Sequence, residues 1–190
     1  MKIKHIILQL IPLLAAMLLV ACDQSNEKFK SYSVGFSTPN VKVWVSAAYL
    51  DQRIGILGGS LQGAWEEASA TNAVFNEPMP REIYVSWEED ESKLRYEATV
   101  KLVDDLAQRA RKLPKVTYLP TNDKNVGTID LIIGMATDGK VTVWLSNYPY
   151  SQQSITGRTL EVIGESQGKV TKQIPPYYPS RKAESPNKKE

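Results

Sequence analysis

Between Val41 and Gln173 apolar residues recur at every second position in run after run, and nothing else in the chain limits its fold so severely. Period-two alternation turns one side of an extended chain to a core and the other to water, so each run reads as a half-buried strand. Val41, Val43 and Val45 alternate with Lys42, Trp44 and Ser46, and Tyr96, Ala98, Val100 and Leu102 oppose Arg95, Glu97, Thr99 and Lys101. Ile83 to Trp87 (IYVSW) is β-branched and aromatic, the composition that suits a pleated surface. Ile129 to Met135 and Val141 to Leu145 flank Asp138-Gly139, a dipeptide that favours a tight hairpin because both positions tolerate positive φ. A second hairpin is expected around Gln167-Gly168, joining 159–165 to 170–173.

The period changes once. Val103, Leu106, Ala107, Ala110 and Leu113 share a helical face, with Asp104 and Asp105 at its start and Arg109, Arg111 and Lys112 near its end. Those charges complement a helix dipole, and Pro114 ends the helix. The expected fold class is α+β: mainly antiparallel β-sheet, sandwich-like, with one amphipathic helix near 103–113. Trp65-Glu66-Glu67-Ala68 is expected to add a short helical turn.

Ahead of these runs the chain reads as an address. Lys2 and Lys4 precede an apolar run from Ile6 to Val20 broken by Gln9 and Pro12, the layout of a secretory signal. The run is short of the roughly 20 apolar residues a membrane-spanning helix needs. It ends Leu19-Val20-Ala21-Cys22, with the small Ala21 ahead of the chain's single cysteine, which is the mark of a bacterial lipoprotein precursor. Cleavage between Ala21 and Cys22 and lipid attachment at Cys22 are therefore expected. Asp23, after the lipidated cysteine, resembles the signal that keeps enterobacterial lipoproteins at the inner membrane, so a periplasm-facing, lipid-anchored location there is favoured. Residues 22–30 read as a tether, 31–174 as one mostly-β domain, and 175–190 as a proline-rich, then disordered tail.

Removal of the signal also removes Lys2, Lys4 and His5. The 23 basic residues fall to 23 − 2 = 21, against 21 acidic ones, so the side-chain charge balances. That balance gives no sign of nucleic acid as partner or of a polybasic attraction to lipid. With the only histidine gone and the only thiol acylated, Ser-His-Asp and Cys-His catalysis and histidine or cysteine metal sites are excluded. No cofactor is expected beyond the lipid at Cys22.

The strand series as a whole resembles a known family. Val43-Trp44-Val45, the glycine-rich stretch Gly55 to Gly63, the proline-led Pro80 to Trp87, Tyr96 to Val100 feeding a helix, and Gly139 to Leu145 are similar to the uncharacterised bacterial lipoprotein family catalogued as domain of unknown function 2931. The resemblance implies a lipoprotein signal and an envelope location. It implies no activity and no catalytic residues.

Several stretches approach catalytic motifs and miss. Gly58 to Gly63 nears a nucleophile elbow, but its second glycine falls one place late and no histidine would take the serine proton. Ser166-Gln167-Gly168-Lys169 spells S-x-x-K across an expected turn instead of a helix start, and Gly164 to Lys169 is one residue short of a phosphate-binding loop. Glu88-Glu89-Asp90-Glu91 lacks the spaced ligands and the glycine of a calcium loop and reads as a solvated acidic loop able to meet a basic partner. Trp44, Trp87 and Trp144 lie in strands and are expected to pack in the core or between sheets. Tyr148 and Tyr150, like Tyr177 and Tyr178, sit beside prolines at segment ends and are surface candidates for partner contact.

A non-enzymatic reading follows: a lipoprotein that binds an envelope protein, for instance an immunity protein against an injected toxin, through Glu88, Glu89, Asp90, Glu91, Tyr148 and Tyr150. A structural or assembly factor of the envelope is the alternative. A carboxylate-based hydrolase would need two of Glu66, Glu67, Glu82, Glu97 and Glu161 in one cleft.

Overall fold

The structure, a computed structural model, describes residues 27–173. Ala21, Cys22, Asp23, Tyr177, Tyr178 and the expected signal and tail lie outside the described residues. The first element is β1 (Lys28–Ser37), so the chain is already a strand where the tether was expected to run to residue 30. Phe29 explains the difference, because its ring is buried in the core cluster.

Two larger sheets carry the fold. One is built from β1, β5 (Ala70–Pro78), β10 (Asp130–Met135), β11 (Lys140–Ser146) and β13 (Leu160–Gln167), in the order β13-β11-β10-β1-β5. The other contains β2 (Val43–Leu50), β3 (Ile54–Gly55), β4 (Gly59–Leu61), β6 (Glu82–Glu89), β7 (Leu94–Lys101) and β14 (Lys169–Gln173), in the order β14-β7-β6-β2-β3, with β4 also on β2. Pairing is antiparallel throughout both sheets apart from β1 with β10, which is parallel. A small third sheet joins β8 (Val116–Tyr118), β9 (Asp123–Val126) and β12 (Ile155–Thr156).

The alternation read from the sequence decides which faces meet. Val34, Phe36, Leu131, Ile133, Val143 and Leu145 from the first sheet share one core with Val43, Val45, Ile83, Val85, Ala98 and Val100 from the second. Full burial of an aliphatic side chain of this kind contributes about 1.5–3 kcal/mol, so this shared layer dominates the stability. Trp87 lies stacked on Tyr96 with ring centroids 5.2 Å apart, and the Tyr96 hydroxyl donates to the Thr137 carbonyl at 3.2 Å. The phenol thereby joins the two sheets at one end.

The first expected hairpin forms. β10 and β11 pair around the 136–139 turn, in which Gly139 alone takes positive φ, at +85°, while the Asp138 carboxylate accepts from the Lys140 amide. The second does not form. β13 pairs with β11 in one sheet and β14 with β7 in the other, so at Gly168 the chain crosses from sheet to sheet. A side chain there would meet the Trp87 ring at 2.8 Å and the Gly139 carbonyl oxygen at 2.9 Å. The glycine permits a close passage instead of a reversal. Lys169 accordingly begins a strand, and Ser166 to Lys169 forms no helix start.

The helix, α1 (Leu106–Arg111), is shorter than the expected 103–113. The amides of Leu102 and Val103 donate to Arg81 and Ile163 carbonyls, which commits both residues to the neighbouring strands. At the other end the residue before Pro114 is disfavoured in helical geometry. Leu106 and Ala110 are its buried residues, and the carboxylate of Asp105, at the N-cap, accepts from the Arg109 side chain, while the helix amides of Gln108 and Arg109 donate to its backbone carbonyl. Trp65 to Ala68 is a turn with Glu66 at φ +68°, not the expected helical turn.

Candidate functional site

Trp44 corrects one expectation. Its strand faces alternate as predicted, but Trp44 is 53% exposed on the outward side of the second sheet, whereas Trp87 and Trp144 are buried. A bulge between Val45 and Ala47, where β2 shifts register against β6, inserts one residue. Without it Tyr49 would point to the core by parity; with it Tyr49 emerges on the same outward face as Trp44, 42% exposed. Tyr84 is the cross-strand partner of Tyr49, with ring centroids 6.1 Å apart.

Between these aromatics lies a charged row. Glu88 is opposite both Trp44 and Arg95, and Ser86 is opposite Glu97. Arg95 Nε donates to Ser86 Oγ at 3.1 Å, while its guanidinium lies 3.9 Å from the carboxylates of Glu88 and of Glu97. Ser46, the bulge residue, donates to Ser86 as well. Burial, and then the Glu97 carboxylate beside it, raises the Tyr84 phenol above its ordinary pKa. On β6 the partners of the two exposed β2 rings are Glu88 and Tyr84, so the aromatic ends of this face stand about 13 Å apart along the strand.

The acidic run is divided among different roles. Glu88 belongs to this outward face, whereas Glu89 is buried on the other side and accepts from the Ser92 hydroxyl. Asp90 opens the turn into β7, and its pKa is lowered by the hydrogen bond and charge of Lys93, then by Lys42. Glu91 is exposed at the turn. The run is therefore a strand end and a hairpin tip, not the loop expected.

Tyr148 and Tyr150 make an edge-on pair at 5.3 Å, with Tyr148 accepting from the Gln152 amide at 2.8 Å. They follow β11 at the end of the first sheet away from the 136–139 turn, while the β6–β7 tip lies toward that turn, where Tyr96 bonds Thr137. The structure does not bring the acids and these tyrosines into one surface. Nor do the acids considered for hydrolysis converge. Glu82 and Glu97 share the outward face, but Ser86 opposite Glu97 is four residues along β6 from Glu82, about 13 Å. Paired glycosidase carboxyls stand closer, at about 5–9.5 Å. Glu161 is held by Arg109, and Glu66 and Glu67 lie on the turn that covers Trp144. Among the described residues no group of three His, Cys, Asp or Glu is placed to hold a metal ion.

A second polar cluster was not foreseen from the sequence. Asp130, 2% exposed, accepts from Thr128, and burial raises its carboxyl to about 6 against the opposing effects of Thr128 and Arg158. Arg158 reaches two other loop segments, donating to the Tyr148 carbonyl and Ser151 in one and to the Glu66 carbonyl in the other. Asn147 bonds Pro114 and Gly157 carbonyls and the Thr159 amide. The cluster ties loops together. Thr159 Oγ1 within it is the one buried side-chain nitrogen or oxygen among the described residues without a partner.

Residues 21–180 match the family described as Protein of unknown function (DUF2931). The chain belongs to this family. The match includes every strand of both larger sheets, so the outward face with Trp44, Tyr49, Tyr84 and Arg95 is part of the DUF2931 domain itself. No curated protein and no solved structure matches the chain.

Proposed function

We propose that this DUF2931 protein is a lipid-anchored lipoprotein of the bacterial envelope, acylated at Cys22 and facing the periplasm, with Asp23 favouring the inner membrane. It acts by stoichiometric binding of an envelope protein and not by turnover, and it takes no cofactor. The observation that carries this reading is the outward face of the second sheet, where Trp44 at one end and the pair Tyr49 and Tyr84 at the other bracket the charged row of Glu88, Arg95 and Glu97. Tryptophan, tyrosine and arginine are the residue types that dominate binding energy at protein interfaces. Held on one sandwich-like scaffold, with Trp44 and Tyr49 exposed and Tyr84 and Arg95 half-buried, they lose little entropy on contact. Glu88 extends this face toward the hairpin tip at Asp90 and Glu91, which supplies charge for steering a basic partner. Tyr148 and Tyr150 lie on a separate surface, and partner contact there is the subordinate part of the proposal.

Capture from detergent-solubilised envelopes by the acylated full-length protein tests the reading. Joint Trp44→Ala and Tyr84→Ala substitution should cut retrieval of the partner at least tenfold with an unchanged melting temperature. Reversing the charge of Glu88, Asp90 and Glu91 should slow association at low salt. Full-strength retrieval by the double variant, or catalytic hydrolysis of an envelope substrate by the purified protein, would sink it. An immunity role further requires that the retrieved partner be a toxin whose activity falls on binding.

A further inference from the structure

The balanced side-chain charge of residues 22–190 conceals an uneven distribution. The described chain begins at Glu27, five residues beyond Cys22, and five residues reach no more than about 18 Å when extended. Whatever surrounds the start of β1 is therefore held close to the bilayer that receives the lipid. Lys28 and Lys30 flank Phe29 there, both exposed. Arg111, the last residue of α1, stacks over the Phe29 ring at 4.8 Å and neutralises Glu27 at 2.6 Å. Lys112 and Lys115 follow it, exposed and without an ion pair among the described residues. Arg111 and Lys115 line a cleft of about 360 Å³ with Ser31, Ser33, Thr128 and Phe75. Phe75 is 68% exposed at its mouth, an apolar ring beside hydroxyls and cations. Other acids near this end are engaged elsewhere: Glu77, opposite Phe29, pairs with Arg53, and Asp105 and Glu161 pair with Arg109.

We infer that this end of the domain is a membrane-apposed surface that binds the headgroups of anionic phospholipid, with Lys28, Lys30, Lys112 and Lys115 facing the bilayer and Phe75 entering its interface. The inference rests on the lipid anchor proposed at Cys22. Charge complementarity identifies the occupant, since the surface nearest the anchor is cationic and a bilayer of anionic lipid attracts each nearby basic side chain. A cleft walled by the hydroxyls of Ser31, Ser33 and Thr128 and by the Lys115 ammonium suits a phosphate-bearing headgroup. The geometry has a further effect: several cationic contacts to the bilayer would fix the rotation of the domain about its anchor.

Full-length mature protein carrying Cys22→Ser, which cannot be acylated, is mixed with vesicles of phosphatidylcholine alone or with 30% phosphatidylglycerol. Capture by the anionic vesicles should exceed capture by the neutral ones at least tenfold and collapse in half-molar salt, where screening acts within about 4 Å. The quadruple variant Lys28→Gln, Lys30→Gln, Lys112→Gln and Lys115→Gln should lose the preference without a change in melting temperature. Phe75→Ala should weaken capture several-fold and keep its salt dependence. Equal capture by both vesicles, or a preference retained by the quadruple variant, would overturn the inference. Labelled palmitate incorporation into the wild-type chain is read in parallel. Label without a phosphatidylglycerol preference refutes the surface alone, and a preference without label refutes the anchor alone.

Discussion

Trp144→Ala is the substitution whose cost the fold fixes most closely. The indole is 4% exposed although it lies on the outer side of the first sheet, opposite Ile132 and away from the shared core. Two contacts account for that burial. Its ring lies over Gly134, where a side-chain carbon would sit 2.4 Å from the ring, and Trp65 packs edge-on against it at 5.0 Å. Removing a buried indole costs about 3–5 kcal/mol, of which about 0.5–1.5 kcal/mol belongs to the aromatic pair. At about 2–4 °C per kcal/mol for a domain of this size, the melting temperature should fall by about 6–20 °C. Urea titration of the wild type, Trp144→Ala, Trp65→Ala and the double variant isolates the pair, with an expected coupling of about 0.5–1.5 kcal/mol. A loss under about 1 kcal/mol for Trp144→Ala would refute the reasoning, as would additive effects of the two tryptophans, since the 64–69 turn would then cover nothing of consequence.

Two further outcomes follow from packing and charge. Asp130 is raised from 3.8 to about 6 on folding, so its protonated form is favoured in the native state; the stability this contributes, about 2–3 kcal/mol, is fully present below pH 4 and lost as pH rises through 6. Asp130→Asn should flatten melting temperature between pH 4 and pH 7, and an unchanged profile would show that another group sets it. Gly164→Ala should cost about 1–3 kcal/mol in denaturant titration, because the added carbon meets the Lys101 carbonyl oxygen at 2.7 Å and the Val100 side chain at 2.8 Å where the sheets approach; a neutral result would mean that the two sheets yield there.

What could be read in advance was what is local. Asp138-Gly139 specified its hairpin because the turn and the two flanking strands carry consistent signals within a few residues. Gln167-Gly168 carries a similar signal, yet its glycine answers to Trp87 and Gly139, far off in sequence, and the chain crosses between sheets. Trp44 shows the limit of periodicity: alternation places it opposite Val43 and Val45 but does not say whether another layer covers that side. No alternation in the sequence marks β5 as a strand, because on an edge only Val74 needs to be buried and the pattern weakens accordingly. The outward aromatic face required the bulge at Ser46, which leaves no mark in residue types. Nor does proximity of Arg158 to Asp130 follow from spacing, since the side chains come from separate segments.

The parallel pairing of β1 with β10 sets a timetable. Ser33 meets Asp130, a separation of 130 − 33 = 97 residues, while its other neighbour Ala73 is only 73 − 33 = 40 residues away. As the chain is made from its amino end, β1 acquires one flank early and waits with the other open until the final third is available. Contacts this distant in sequence slow folding and expose unpaired strand edges in the interval. A product interrupted before residue 130 would hold its first strand ready to pair with any extended chain nearby, which makes the late strands a guard against self-association as much as a part of the sheet.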